Sequence, residues 1–323
     1  MTGAATHRAM PAALPLARYR FECVVEKPIR LHEYAGSMLR GAFGTALRHL
    51  LCVTGRDDCK ACPLYRSCQF PAIFAPPPPL SQRTSGQAFS EVPAAYVIEP
   101  PARGEALLPA GAALQWHLVL FGRALGELPL IIAAWRRALA QGLGPDRGSA
   151  RLCRVVHCRA DGEASVLEPN SRALVEHSAI VHIPPPPLAF ERIDLHCLTP
   201  LHLQRNGKPL DAGSITPDRL LIGLIKRLSL LQACHAGDPW PVDHAALATR
   251  AREIHGQHAL HWQSSRRYSA RHQHSSTLGG LVGHWQLRGD LAPFWPWLHA
   301  GQWLHVGKHT SFGLGHYRLD PSP

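Results

Sequence analysis

Four consecutive prolines, Pro184–Pro187, separate two stretches of chain that carry the same succession of secondary-structure signals. Proline fixes φ and has no N–H to donate, so such a run ends any regular element and acts as a short, semi-rigid spacer. It places a domain boundary at 187/188, giving domains 1–187 and 188–323. In the first, Tyr19–Leu31 is rich in β-branched and aromatic residues and predicts a strand. Gly36–Leu51 follows, with Met38, Leu39, Phe43, Leu47 and Leu50 at helical spacing. Strands near Ala95–Ile98 and over Leu114–Phe121, a helix over Pro129–Gln141 and a strand over Arg151–Arg159 complete it. The second opens with a strand over Phe190–Leu203. Thr216 is placed to cap a helix that starts at Pro217 and continues through Leu220–Ala233. Strands near Tyr268 and over Leu281–Arg288, a short helix over Pro293–Ala300 and a strand over His316–Leu319 close the chain. Strand–helix–strand–strand–helix–strand is the ferredoxin-like order. The expected fold class is therefore α+β, two tandem ferredoxin-like (βαββαβ, RRM-like) domains.

At 323 residues the chain is long enough for two hydrophobic cores, and 46% apolar with 18% charged residues is a globular balance. Its longest apolar stretch, Leu128–Trp135, is broken by Pro129 and is far shorter than the ~20 residues that cross a bilayer. No membrane role is expected. Charge is more informative: 34 Lys and Arg against 23 Asp and Glu leave +11, and 21 histidines add more as pH falls. Such an excess suits a polyanionic partner, nucleic acid first. From His261 onward six cationic residues face only Asp290 and Asp320, with eight histidines among them. Nine cysteines, an odd number, and no apolar leader in Met1–Pro15 place the protein in a reducing compartment, the cytoplasm.

Four cysteines stand apart from the rest: Cys52, Cys59, Cys62 and Cys68, spaced Cys-x6-Cys-x2-Cys-x5-Cys within a short polar insert, 52–68, after the first helix. Four thiolates at such spacing suit tetrahedral Zn²⁺, although a [4Fe–4S] cluster takes the same ligands and four unmetallated thiols remain the plain alternative. Either metal would be structural, because four cysteines leave no open coordination position.

The second constellation is a glycine-rich loop over 306–315, containing Gly307, Lys308, His309, Phe312, Gly313 and Gly315. Glycines let the backbone approach a phosphate chain, and Lys308 adds charge. The loop is not a Walker A motif, since His309 follows the lysine where Ser or Thr should stand. With Arg266, Arg267, Tyr268 and Arg271 upstream it makes half of an RNA-binding groove, the cations on phosphates and Tyr268 or Phe312 available to stack on a base.

These residues carry a resemblance. Arg267–Tyr317, with Leu278-Gly279-Gly280-Leu281-Val282-Gly283 and the 306–315 loop, is similar to the C-terminal signature of the CRISPR precursor-RNA-processing endoribonucleases of the RAMP superfamily. Leu39-Arg40-Gly41-Ala42-Phe43-Gly44, followed by the four cysteines, resembles one branch of that family. The resemblance implies binding of CRISPR repeat RNA, with other CRISPR effector subunits as further partners. It also implies a single cut made without a catalytic metal: the RNA's 2′-hydroxyl attacks the adjacent phosphate, leaving a 2′,3′-cyclic phosphate. That chemistry needs a base, an acid and cations. Catalytic residues of the family lie on or near the first helix, which makes His49 the first candidate, His32 the second and Tyr34 a partner for His32. A non-cutting subunit that holds guide RNA would show the same basic groove. Two His-x-Ser matches, at His274 and His309, suggest a phosphoesterase only weakly, since 21 histidines produce such pairs by chance.

Overall fold

A computed structural model describes residues 10–78, 92–269 and 274–321, apart from positions 103, 170, 172, 189 and 238; along 265–269 and 274–277 and at 321 it describes the backbone alone. The chain divides into two compact units. One comprises Pro15–Ile180 and Ser265–Leu278, the other Met1–Leu14, Val181–Ser264 and Gly279–Pro323. The boundary expected at 187/188 falls inside the second unit, where the Pro184 carbonyl accepts the Trp295 indole N–H at 2.7 Å. Phe190 packs edge-on against the same indole, with ring centroids 5.0 Å apart.

The N-terminal half contains β1 (Ala13–Val25), β2 (Ile29–Leu31), α1 (Gly36–Leu51), α2 (Gln69–Phe74), β3 (Tyr96–Glu99) and β4 (Ala106–Leu108). β5 (Ala113–Phe121), α3 (Leu128–Gln141), β6 (Ala150–Arg159), β7 (Gly162–Leu167) and the short β8 (Ile180–His182) follow. The single strand expected over Tyr19–Leu31 is two strands. Glu26 and Lys27 turn to the Ser149 carbonyl at 2.8 and 3.1 Å, and Pro28, without an N–H, cannot extend the ladder. β2 then pairs with β4.

The main sheet runs β3–β5–β1–β6–β7, antiparallel at each of these pairings. Taking β1, β3, β5 and β6 as first to fourth, this is the ferredoxin-like order 4-1-3-2, with β7 added at one edge. Residues alternate along β1. Tyr19, Phe21, Cys23 and Val25 are buried, and Arg18, Arg20 and Glu22 take the other face. The core is an aromatic chain: Phe21 stacks on Trp116 of β5 at 5.3 Å, Trp116 meets Trp135 of α3 at 4.7 Å, and Trp135 stacks on Phe43 of α1 at 5.2 Å. Leu39, Phe43, Ala46 and Leu47 give α1 its buried stripe at the spacing the sequence predicts.

The C-terminal half contains β9 (Arg192–Leu201), a ribbon of β10 (Gln204–Arg205) and β11 (Lys208–Pro209), and α4 (Pro217–His235). α5 (His244–Ala251), β12 (His255–Ser269), β13 (His274–Arg288), α6 (Trp295–Leu304) and β14 (Tyr317–Pro321) complete it. Its sheet order, β12–β13–β9–β14, is again 2-3-1-4. Thr216 does stand at the N-cap of α4, but its hydroxyl makes no capping bond and donates to the Asp218 carboxylate instead. α5, unforeseen, begins at Asp243, whose carboxylate accepts the N–H groups of Ala245 and Ala246 at 3.1 and 2.9 Å.

Candidate functional site

The loop over 306–315 links α6 to β14 and is fastened to the end of β9. The Lys308 N–H donates to the His202 carbonyl at 2.9 Å and the Gly315 N–H to the Pro200 carbonyl at 3.1 Å. Thr199 Oγ1 donates to the Gly313 carbonyl at 2.7 Å and accepts the His316 N–H at 2.9 Å. Gly307 and Gly315 have φ of 93° and 75°, in the left-handed region. A Cβ at Gly307 would lie 2.5 Å from the His202 carbonyl oxygen, and the Val306 carbonyl leaves no room for one at Gly315. These two glycines are therefore required by the loop's own packing, whatever it binds.

Lys308 is exposed on this loop and His309 half-buried. Phe312 is 5% exposed, its ring 5.1 Å from that of His309, so it is taken up in packing rather than presented to a base. Arg266, Arg267 and Tyr268 lie on β12, where only the backbone is described. Arg271 lies outside the described residues.

The three residues expected near α1 do not come together. His32 and Tyr34 precede the helix, whereas His49 is exposed on its last turn. Thirteen residues from Gly36 to His49 at 1.5 Å each put the two ends about 20 Å apart. His32 lines a shallow cavity of ≈ 220 Å³ with Arg30, Leu31, Glu105, Ala106 and Leu107. Arg30 pairs with Asp146 at 3.1 Å. Tyr34 is buried, 7% exposed.

The segment between α1 and α2 is a series of turns carrying the four cysteines, all as free thiols. Cys52 caps the C-terminus of α1, Cys68 is the N-cap residue of α2, and all four line one small pocket. Thr54 Oγ1 reaches Cys62 Sγ at 3.6 Å and Cys52 Sγ at 3.9 Å. Backbone N–H groups of Gly55 and Thr54 hold the Cys52 thiol below the usual cysteine range. The donor set is thiophilic in chemistry, but among the described residues no three of these sulfurs converge within 4.8 Å of one another.

Residues 195–317 match the family model described as CRISPR-associated endoribonuclease Cas6, and residues 14–179 match a family model described as an N-terminal domain. The C-terminal half of the chain therefore carries a Cas6 match. Among solved structures, a Cas6 product complex shares 16% identity at a TM-score of 0.54, over 94% of this chain and 99% of that one. A Cas6 of Thermus thermophilus shares 17% identity at 0.50, over 96% and 100%. A partial Cas6-RT-Cas1–Cas2 complex shares 14% identity at 0.55, over 95% of this chain and 46% of that one. At these identities the likeness is one of fold. Comparison with curated protein sequences gives no match.

Two residues beside the glycine-rich loop are not singled out by the sequence. Arg227 of α4 is partly buried, with Nε donating to the carbonyls of Leu304 and His305 at 3.1 Å each and Nη2 to Leu304 at 3.0 Å. It thereby closes the C-terminus of α6, where the glycine-rich loop begins, and burial lowers its pKa to about 10. His202 is the other, joined to the loop through its carbonyl. In sequence, Lys226-Arg227 reads as a solvated helix face and His202 as one histidine among 21.

Proposed function

We propose that this chain binds CRISPR repeat RNA in precursor transcripts and cuts it once, without a catalytic metal, to give guide RNA. The observation that carries the reading is the Cas6 match over residues 195–317. It is supported by two antiparallel ferredoxin-like units and a net charge of +11. Solved proteins of similar fold include a Cas6 product complex and a Cas6-RT-Cas1–Cas2 complex. Repeat RNA is accordingly the proposed substrate, and other CRISPR proteins are the proposed partners.

In the proposed reaction the 2′-hydroxyl attacks the adjacent phosphorus, the bond to the 5′-oxygen of the next nucleotide breaks as that oxygen takes a proton from water, and a 2′,3′-cyclic phosphate and a 5′-hydroxyl result. His32 takes the proton of the attacking hydroxyl, because it opens onto a cavity that a ribose-phosphate can enter and has Arg30 beside it to offset phosphate charge. The proposal therefore prefers His32, which lines this cavity, to His49, the first candidate from sequence. Tyr34, buried beneath the segment, holds it in place rather than touching RNA. Lys308 contacts phosphate. Cys52, Cys59, Cys62 and Cys68 hold a structural Zn²⁺ that fixes the turn between α1 and α2 and supplies no chemistry.

Single-turnover cleavage of the repeat RNA by wild type, His32→Ala and His49→Ala tests the assignment. His32→Ala is expected to cut at least about 100-fold more slowly with affinity unchanged, the range a lost general base gives. His49→Ala is expected to cut like wild type. The reverse pattern moves the base to His49.

A further inference from the structure

Beside the glycine-rich loop, β12 carries an exposed aromatic residue with no structural task on its outer side. Trp262 is 43% exposed. Its indole closes over Gly279 on β13: a Cβ there would fall 2.7–2.8 Å from Cζ2, Cε2 and Nε1. The missing side chain of Gly279 makes room for the ring, which is packed on its inner side. Covering a glycine accounts for that inner face and leaves the exposed area unexplained.

The neighbours make a polar rim. His202 stands 6.2 Å from Trp262 and 5.5 Å from His309, centroid to centroid, edge-on to each. Its Nδ1 lies 2.5 Å from the Gly279 carbonyl oxygen and so carries the proton, and Nε2 then accepts the Gln204 amide N–H at 3.1 Å. Gln204, exposed, retains a second N–H and its Oε1. The His202 carbonyl holds the Lys308 N–H, which puts an exposed ammonium on the same stretch of chain.

A fixed aromatic plane, a side-chain amide with a free donor and acceptor, and a cation are the parts that hold one unpaired nucleotide: stacking for the base, the amide for its edge, the cation for its phosphate. Resting on the reading of the chain as an RNA-binding protein, we propose that Trp262, Gln204 and Lys308 form a subsite for a single unpaired nucleotide of the RNA, with His202 holding Gln204 in position. The partner is single-stranded RNA and not duplex, because a base must be out of its pair to lie on the indole.

The test uses fluorescein-labelled ten-nucleotide oligo(rA) and oligo(rU), and a blunt RNA hairpin without single-stranded ends, titrated into the full chain. Trp262→Ala is expected to weaken binding of the decamers about 10- to 100-fold, the range of one lost base stack, and that of the hairpin less than about twofold. Trp262→Phe, which keeps a ring, recovers most of the loss. Gln204→Ala changes the preference between the two decamers more than the mean affinity. Equal losses on decamer and hairpin, or decamer affinity unchanged in Trp262→Ala, overturn the subsite. Wild-type protein that binds none of the three probes overturns the RNA-binding reading itself, and the subsite with it.

Discussion

At the scale of single residues the sharpest constraint is Gly307. Its φ of 93° and the His202 carbonyl 2.5 Å from where a Cβ would stand leave no side chain an unstrained place. Gly307→Ala is expected to cost about 2 kcal/mol or more, from left-handed strain plus the displaced carbonyl, read as a lower denaturation midpoint. An unchanged midpoint contradicts the described packing. The glycines were legible in the sequence as a loop, yet their reason was not, since the contact that forbids a Cβ comes from about a hundred residues away. Buried histidines give a second prediction at this scale. Burial depresses His299, His157 and His117, each to about 4, and neither ring nitrogen of His299 has a hydrogen-bond partner as its ring stacks on Trp295. Unfolded histidine takes up its proton near pH 6.5. Between there and pH 4 the unfolded chain binds more protons than the folded one, so stability falls as pH falls through that window. Urea midpoints at pH 7.5 and pH 5 should show the drop, and His299→Phe should flatten it. A His299→Phe slope equal to that of wild type contradicts the assignment.

Elements were legible where apolar periodicity was strong. α1 runs over Gly36–Leu51 as its spacing predicts, and β5, α3 and β6 each begin one residue earlier than expected. The long β12–β13 hairpin was legible only in fragments, because His255–Ser269 is so rich in His, Gln, Ser and Arg that little alternation of apolar residues survives. β1 was overrun into β2 because Pro28 sits in an otherwise strand-like run. The turn segment between α1 and α2 carries the third prediction. If its four thiols bind zinc, purified protein contains about one equivalent, and Cys62→Ser loses it along with several degrees of thermal stability. Zinc-free protein with the wild-type melting temperature contradicts that account. A brown colour with absorbance near 400 nm points to an iron–sulfur cluster instead. The pocket they share was not readable from spacing alone, which gave four candidate ligands and no geometry.

For the molecule as a whole, the doubled ferredoxin-like order was legible, and both sheets have it. Which histidine matters was not. Sequence ranks His49 ahead of His32, and the proposal reverses that order because His32 lines a cavity with Glu105, some seventy residues downstream. A net charge of +11 also predicts that RNA affinity falls by roughly tenfold or more between 50 and 200 mM salt, as several phosphate contacts release their counterions. Affinity independent of salt would contradict the cationic groove. The central claim is tested most directly by incubating the repeat RNA with the full chain in excess EDTA and identifying the new ends. A single cut that leaves a 2′,3′-cyclic phosphate and a 5′-hydroxyl, absent in His32→Ala, is the predicted result. Tight binding with no cut, or a cut that appears only when a divalent metal is added back, contradicts it.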